Sequence, residues 1–192
     1  MAHASVVRAL VRVLSLVVLL SVPARAHAQT ITLFAGYPYG EDAGCQQATS
    51  CEDRTSALGV VLGGGRSFLG FEQEFAYVRN FFGKDPAQST SVLTVMSNAT
   101  IGPRIGYVRP FGLIGIGLVK TRVTLTLDDL ARSDTSAGWD VGGGLEIAGR
   151  HAGLRVDIRR FHGLSDVPLL LYPVENLDLD FSRATAGLVL RF

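Results

Sequence analysis

Nine charged side chains recur at alternate positions in stretches that are otherwise apolar or small: Glu72, Glu74, Asp140, Glu146, Arg155, Asp157, Arg159, Arg183 and Arg191. Their types allow two kinds of chemistry. Carboxylates paired as Glu72 with Glu74, or Asp140 with Glu146, can act as general acid and base. Carboxylates met by arginines can instead form forked ion pairs, since one guanidinium reaches two acids. The near balance of sign favours pairing. His162 and Ser165 offer a base and a nucleophile, but no third member accompanies them, and His162 reads as a polar residue at a strand rim. Asp128, Asp129 and Asp134 lack the ligand spacing and turn glycine of a calcium loop and read as solvated acids. Cys45 and Cys51, without a nearby histidine, make a poor zinc site. No metal and no cofactor is expected.

The elements that must hold these charges are strands. Leu154, Val156 and Ile158 oppose Arg155, Asp157 and Arg159, and Phe71, Gln73, Phe75 and Tyr77 oppose Glu72, Glu74 and Ala76. In a strand, residues two apart share a face, so each segment has one apolar and one charged side. The last ten residues repeat the pattern: Phe192, Leu190, Leu188, Ala186 and Ala184 lie opposite Arg191, Val189, Gly187, Thr185 and Arg183. Eight such segments can be traced between Thr30 and Phe192. Long connections follow the first, third, fifth and seventh: Glu41 to Thr55, Phe81 to Thr90, Arg122 to Ser136 and His162 to Asp178. Val123 to Leu127 also allows the fifth strand to run on beyond the bilayer. Short turns fall near Arg66-Ser67, Gly102-Pro103-Arg104 and Gly149-Arg150-His151. Tyr107 to Thr121 is apolar on both faces, and its register is not assignable from sequence.

The first 28 residues are different. Arg8 and Arg12 precede the apolar run Val13 to Val22, then Pro23 and Ala26-His27-Ala28. That is the pattern of a cleaved Sec signal peptide, and the run is short of the roughly 20 residues a membrane helix takes. Residues 29–192 would then form the exported domain. Removing Arg8, Arg12 and Arg25 changes the formal charge from +1 to −2, so no electrostatic case exists for nucleic acid. In an oxidising compartment Cys45 and Cys51 are expected to form a disulfide.

This chain resembles the small eight-stranded OmpA/OmpX-type outer-membrane β-barrels. The segments that carry the resemblance are Leu69 to Phe75, Gly153 to Arg159 and the strand ending at Phe192. The resemblance implies an all-β, antiparallel, up-and-down transmembrane barrel with short periplasmic turns and long extracellular loops. It implies insertion in the outer membrane, contact with its lipid and lipopolysaccharide, and an assembly signal in Phe192, Leu190 and Leu188 read by the barrel-assembly machinery. The charged faces would point inward and plug the lumen, because eight strands enclose just enough room for side chains. Asp157 is expected to bridge arginines on its own strand and the next. Glu72 or Glu74 is expected to pair with Arg155 or Arg159 across the lumen.

The expected role is structural or surface-interacting, with an extracellular ligand or protein reached through the loops. A narrow solute channel is the alternative, and a lipid-A-modifying enzyme a more distant one. That enzyme type has one residue between its His and Ser, unlike His162 and Ser165. Two outward features stand apart. Arg160 should sit at an interface, snorkelling or meeting lipopolysaccharide phosphates. Val167 to Val174 is unusually apolar for a loop and suits local packing, the outer leaflet or a partner. Gln73 breaks the apolar face, which implies an interface position or a slipped register.

Overall fold

The structure is a computed structural model and describes residues 30–40, 43, 55–66, 68–81, 88–125, 130–163 and 180–192. Among these, eight strands follow in order: β1 Thr30–Tyr39, β2 Ser56–Arg66, β3 Leu69–Arg79, β4 Gln88–Ile101, β5 Val108–Leu125, β6 Leu130–Ala148, β7 Ala152–Gly163 and β8 Phe181–Arg191. Each pairs antiparallel with the next, and β8 returns to β1 to close the barrel. The closing ladder runs from Thr30 opposite Arg191 to Tyr39 opposite Ser182, so no free edge remains.

Alternation decides which side chains enter the lumen. On β7 Arg155, Asp157, Arg159 and Phe161 are buried, while Leu154, Val156 and Ile158 are more than half exposed. The outer wall is mostly apolar, with Leu33, Leu58, Ile114, Ile116 and Leu188 all exposed. Tyr37, Tyr39 and Tyr77 ring it near the long loops, and Phe68, Tyr107 and Phe192 near the short turns. Such an inverted surface fits hydrocarbon bounded by two aromatic girdles.

The ambiguous stretch before Thr121 resolves in β5. Its even-numbered residues Ile114, Ile116 and Leu118 face out, and Phe111, Leu113 and Val119 face in. The inward residues either join the apolar cluster, as Val119 does, or lie against charged side chains from other strands, as Phe111 does under Arg155, so the usual sequence contrast is lost.

Two connections are shorter than the sequence suggests. The ladder of β5 and β6 continues to Leu125 opposite Leu130, so most of Arg122 to Ser136 is strand and not loop. Once clear of lipid, a strand pair needs no apolar face, and polar composition no longer separates strand from loop. At 18 residues β5 is about 60 Å long at ~3.3 Å per residue, well beyond a hydrocarbon core even when tilted. Likewise β4 starts at Gln88, with Thr90 buried and paired with Val123. At the other end, Ile105 and Val108 exchange both backbone hydrogen bonds around Gly106 and Tyr107. Gly106 has φ +62°, at the first central position where a type II′ hairpin favours glycine.

The interior is layered. Near the long loops, Phe161 stacks on Phe181 at 4.7 Å and Phe81 meets Phe181 edge-on at 4.9 Å, with Val78, Val92 and Met96 around them. Below lies a layer of charge, and below that an open vestibule at the short-turn end.

Candidate functional site

Asp157 is at the centre of the charged layer. Its carboxylate accepts from Arg155 Nε at 2.9 Å, from Arg159 Nε at 3.0 Å and from the Thr185 hydroxyl at 2.9 Å. The two arginines are on the same face of β7 as Asp157, and the acid between them holds the like charges apart. Arg155 then forks across the lumen onto Glu72, with Nη1–Oε1 at 2.7 Å and Nη2–Oε2 at 3.0 Å. Arg159 reaches Glu74 Oε2 at 2.8 Å and Asp140 Oδ2 at 3.6 Å. Glu74 also receives Arg183 Nη2 from β8. Charges taken out of water must be paired, and each of these has a partner of opposite sign, although Arg183 Nε and Nη1 make no hydrogen bond. Arg159 is 1% exposed and Arg183 fully buried.

Four residues complete the layer without carrying charge. The Asn98 side chain on β4 lies between Asp140 and Arg159; with its amide turned to suit both, it donates to Asp140 Oδ1 at 2.8 Å and accepts from Arg159 Nη1 at 3.0 Å. Phe111 lies under the Arg155 guanidinium, 4.2 Å from its carbon. Phe161 and Phe34 flank Arg183 at 4.8 and 5.1 Å, against nitrogens that find no hydrogen-bond acceptor. Glycine gives the layer its room. A Cβ on Gly115 would come within 1.7 Å of the Asn98 side-chain amide and 2.4 Å of Asp140 Oδ1. Nothing larger fits that position on β5.

The structure therefore brings Glu72, Glu74, Asp140, Arg155, Asp157, Arg159 and Arg183 into one layer. Glu146 and Arg191 form a separate group at the short-turn end: Arg191 Nη2 reaches Glu146, Arg191 Nη1 donates to the Gly149 carbonyl at 3.1 Å, and Arg104 lies 3.7 Å from Glu146. One expected bond is redirected. Asp157 bridges arginines on its own strand only, and its partner on the next strand is Thr185. The ladder explains this: Thr185 stands opposite Asp157, whereas Arg183 stands opposite the like-charged Arg159 and turns away to Glu74.

Outside the lumen, Gln73 keeps the expected register. It pairs with Ser97 in the ladder and their side chains hydrogen-bond at 2.7 Å, which satisfies both on an apolar wall. His162 is also on the outer wall, stacked on Trp139 at 4.5 Å with Nδ1 3.0 Å from Asp180. Arg160 is exposed near the same end. Phe192, Leu190 and Leu188 lie on the apolar outer face of the closing strand. Asn98, Thr185, Phe34, Phe111 and Phe161 were not singled out from sequence. An asparagine on the inward face of β4 was the available signal, because strands are poor in it. Among the described residues, no group of three or more His, Cys, Asp or Glu could hold a metal ion. The Met1 to Ala28 segment, Cys45, Cys51, Asp128, Asp129, Ser165 and Val167 to Val174 lie outside the described residues, as does the side chain of Asp134.

A closed barrel with an apolar outer wall, two aromatic girdles and a lumen filled with paired charge defines a transmembrane β-barrel of the outer-membrane class. The chain matches the outer membrane protein beta-barrel domain family over residues 14–192, and it belongs to that family. Its place is the outer membrane, with the short turns at the periplasmic end. Among solved structures it is similar to Neisserial surface protein A, at 16% identity and a TM-score of 0.60, covering 85% of this chain and 96% of that one. It is also similar to the N-terminal β-barrel domain of Pseudomonas aeruginosa OprF, at 13% identity and a TM-score of 0.49, covering 85% and 98%. Comparison with curated proteins finds no match.

Proposed function

We propose that this barrel is a structural or surface-interacting component of the outer membrane, neither conducting nor catalytic. The observation that carries the reading is Arg159, almost wholly buried, held by Asp157 on its own strand and by Glu74 and Asn98 across the lumen. A solute passing along the axis would have to separate those pairs and leave charges unmatched in a region of low dielectric. Phe161, Phe181 and Phe81 close the same axis above them. The carboxylates of the candidate acid–base pairs are engaged by arginine, and His162 faces the outer wall. Binding then belongs to the rims: extracellular loops toward a ligand or protein, and Arg160 toward lipopolysaccharide phosphates. Sec export and recognition of the Phe192 strand by the assembly machinery complete the reading.

Planar-bilayer recording with the purified protein tests it. The expected result is no steady conductance. A stable, ohmic open level would favour the narrow solute channel and overturn the plug. Lipid A of unchanged mass after expression is the matching expectation for an absence of lipid-A chemistry.

A further inference from the structure

Below the charged layer, the barrel opens into a cavity of about 400 Å³ at the periplasmic end. Its charged lining is Arg104, Arg109, Arg150, Arg191, Glu72 and Glu146. The two acids do not balance the arginines. Both oxygens of Glu72 are engaged by Arg155, which belongs to the layer above. Glu146 is shared between Arg191 and Arg104. Among the described residues, Arg109 has only the Thr100 hydroxyl, at 3.2 Å, and Arg150 has no carboxylate partner. Even with a terminal carboxylate at Phe192 counted, the lining stays positive. Gly63, Gly64 and Gly65 form a bare stretch of wall on β2, which leaves the space open. Arg104, in the turn, is held below the ordinary arginine value, first by burial and then by the nearby charge of Arg191, with Arg109 adding to it against Glu146.

Gathered guanidinium groups around an open space are costly to the empty barrel, and an anion would relieve the repulsion. Their planar forks match paired oxygens, as on phosphate or carboxylate. We propose that this vestibule is a binding site for a small multivalent anion, phosphate or carboxylate, presented from the periplasmic side. It is independent of whether the lumen conducts. Two sources share this chemistry: a soluble anion, or the headgroup of an anionic lipid in the inner leaflet.

Isothermal titration of the purified protein in nonionic detergent, with inorganic pyrophosphate at low ionic strength, is the test. One saturable site is expected. Replacing Arg104 and Arg109 together by glutamine should weaken it at least about tenfold, on the order of one charge-assisted contact. Arg150→Gln, in an exposed turn where the barrel does not depend on it, should weaken it by a smaller factor. Lys120→Gln, exposed on the outer wall toward the other end, should change nothing. Repeating the titration in bilayers separates the sources. Weaker pyrophosphate binding in phosphatidylglycerol than in phosphatidylcholine would identify a lipid headgroup, and equal binding a soluble anion. No saturable heat, or binding that survives Arg150→Gln and the double replacement unchanged, would overturn the proposal.

Discussion

Arg155 shows how one residue joins distant strands. Its guanidinium takes Asp157 on its own strand, Glu72 on β3 and the face of Phe111 on β5. Removing one partner of such a pair leaves a buried charge uncompensated, at about 3–5 kcal/mol, whereas removing both leaves none. Glu72→Ala and Arg155→Ala should therefore each lower stability in urea-dependent refolding. The double variant should lose less than the worse single one, since Asp157 keeps Arg159 and Thr185. Single variants as stable as the parent would show that the pair contributes nothing. Few other positions offer such a cycle cleanly, because Glu74 is shared by two arginines.

At the scale of elements, β8 has two tasks. Its inward face supplies Arg183 to the charged layer and Thr185 to Asp157, and its outward face closes the wall against β1 and β7. Phe192 follows directly and is among the most exposed apolar residues, at 81%. The side chain makes little contribution to packing, so its replacement should act on insertion and not on secretion. Phe192→Asp should be exported normally but inserted poorly, read by loss of heat-modifiable migration and of surface protease sensitivity. Normal insertion would remove the assembly role. The first long connection carries a separate expectation. A Cys45–Cys51 bridge would constrain the unfolded chain by about 2 kcal/mol. Purified, unreduced protein should resist thiol labelling at both residues until denatured and reduced; ready labelling would exclude the bridge.

For the molecule as a whole, lipid and lumen divide the work that a single core does in a soluble protein. The outer wall satisfies the bilayer, and the interior is free to be polar provided every charge finds a partner. Layering then sets what each end can do: an aromatic seal under the loops, a paired middle, a positive vestibule facing the periplasm. If the middle layer is what blocks the axis, Glu74→Ala with Arg159→Ala should produce conductance that the parent lacks in the same bilayer recording. A silent variant would move the block to Phe161, Phe181 and Phe81.

Much of this was legible in the chain, for a local reason. Strand alternation depends only on neighbours two apart, so Leu154 to Arg159 and Ala184 to Phe192 declare their lipid and lumen faces without reference to anything distant. The number of strands, the alternation of long and short connections and the inward set of acids and arginines followed from the same rule. It failed where the local contrast vanished: in β5, apolar on both faces, and in the β5–β6 extension, where strand outside lipid reads as loop. What only the tertiary structure decided is which charge meets which. Glu72 and Arg155 are 83 positions apart, and Glu74 and Arg183 are 109. Those partners are set by the ladder registers around a closed ring, by the room left at Gly115 and by whether the residue directly opposite is a hydroxyl or a like charge. The vestibule is of the same kind, since Arg104, Arg109, Arg150 and Arg191 come from two turns and two different strands and meet only because the barrel closes.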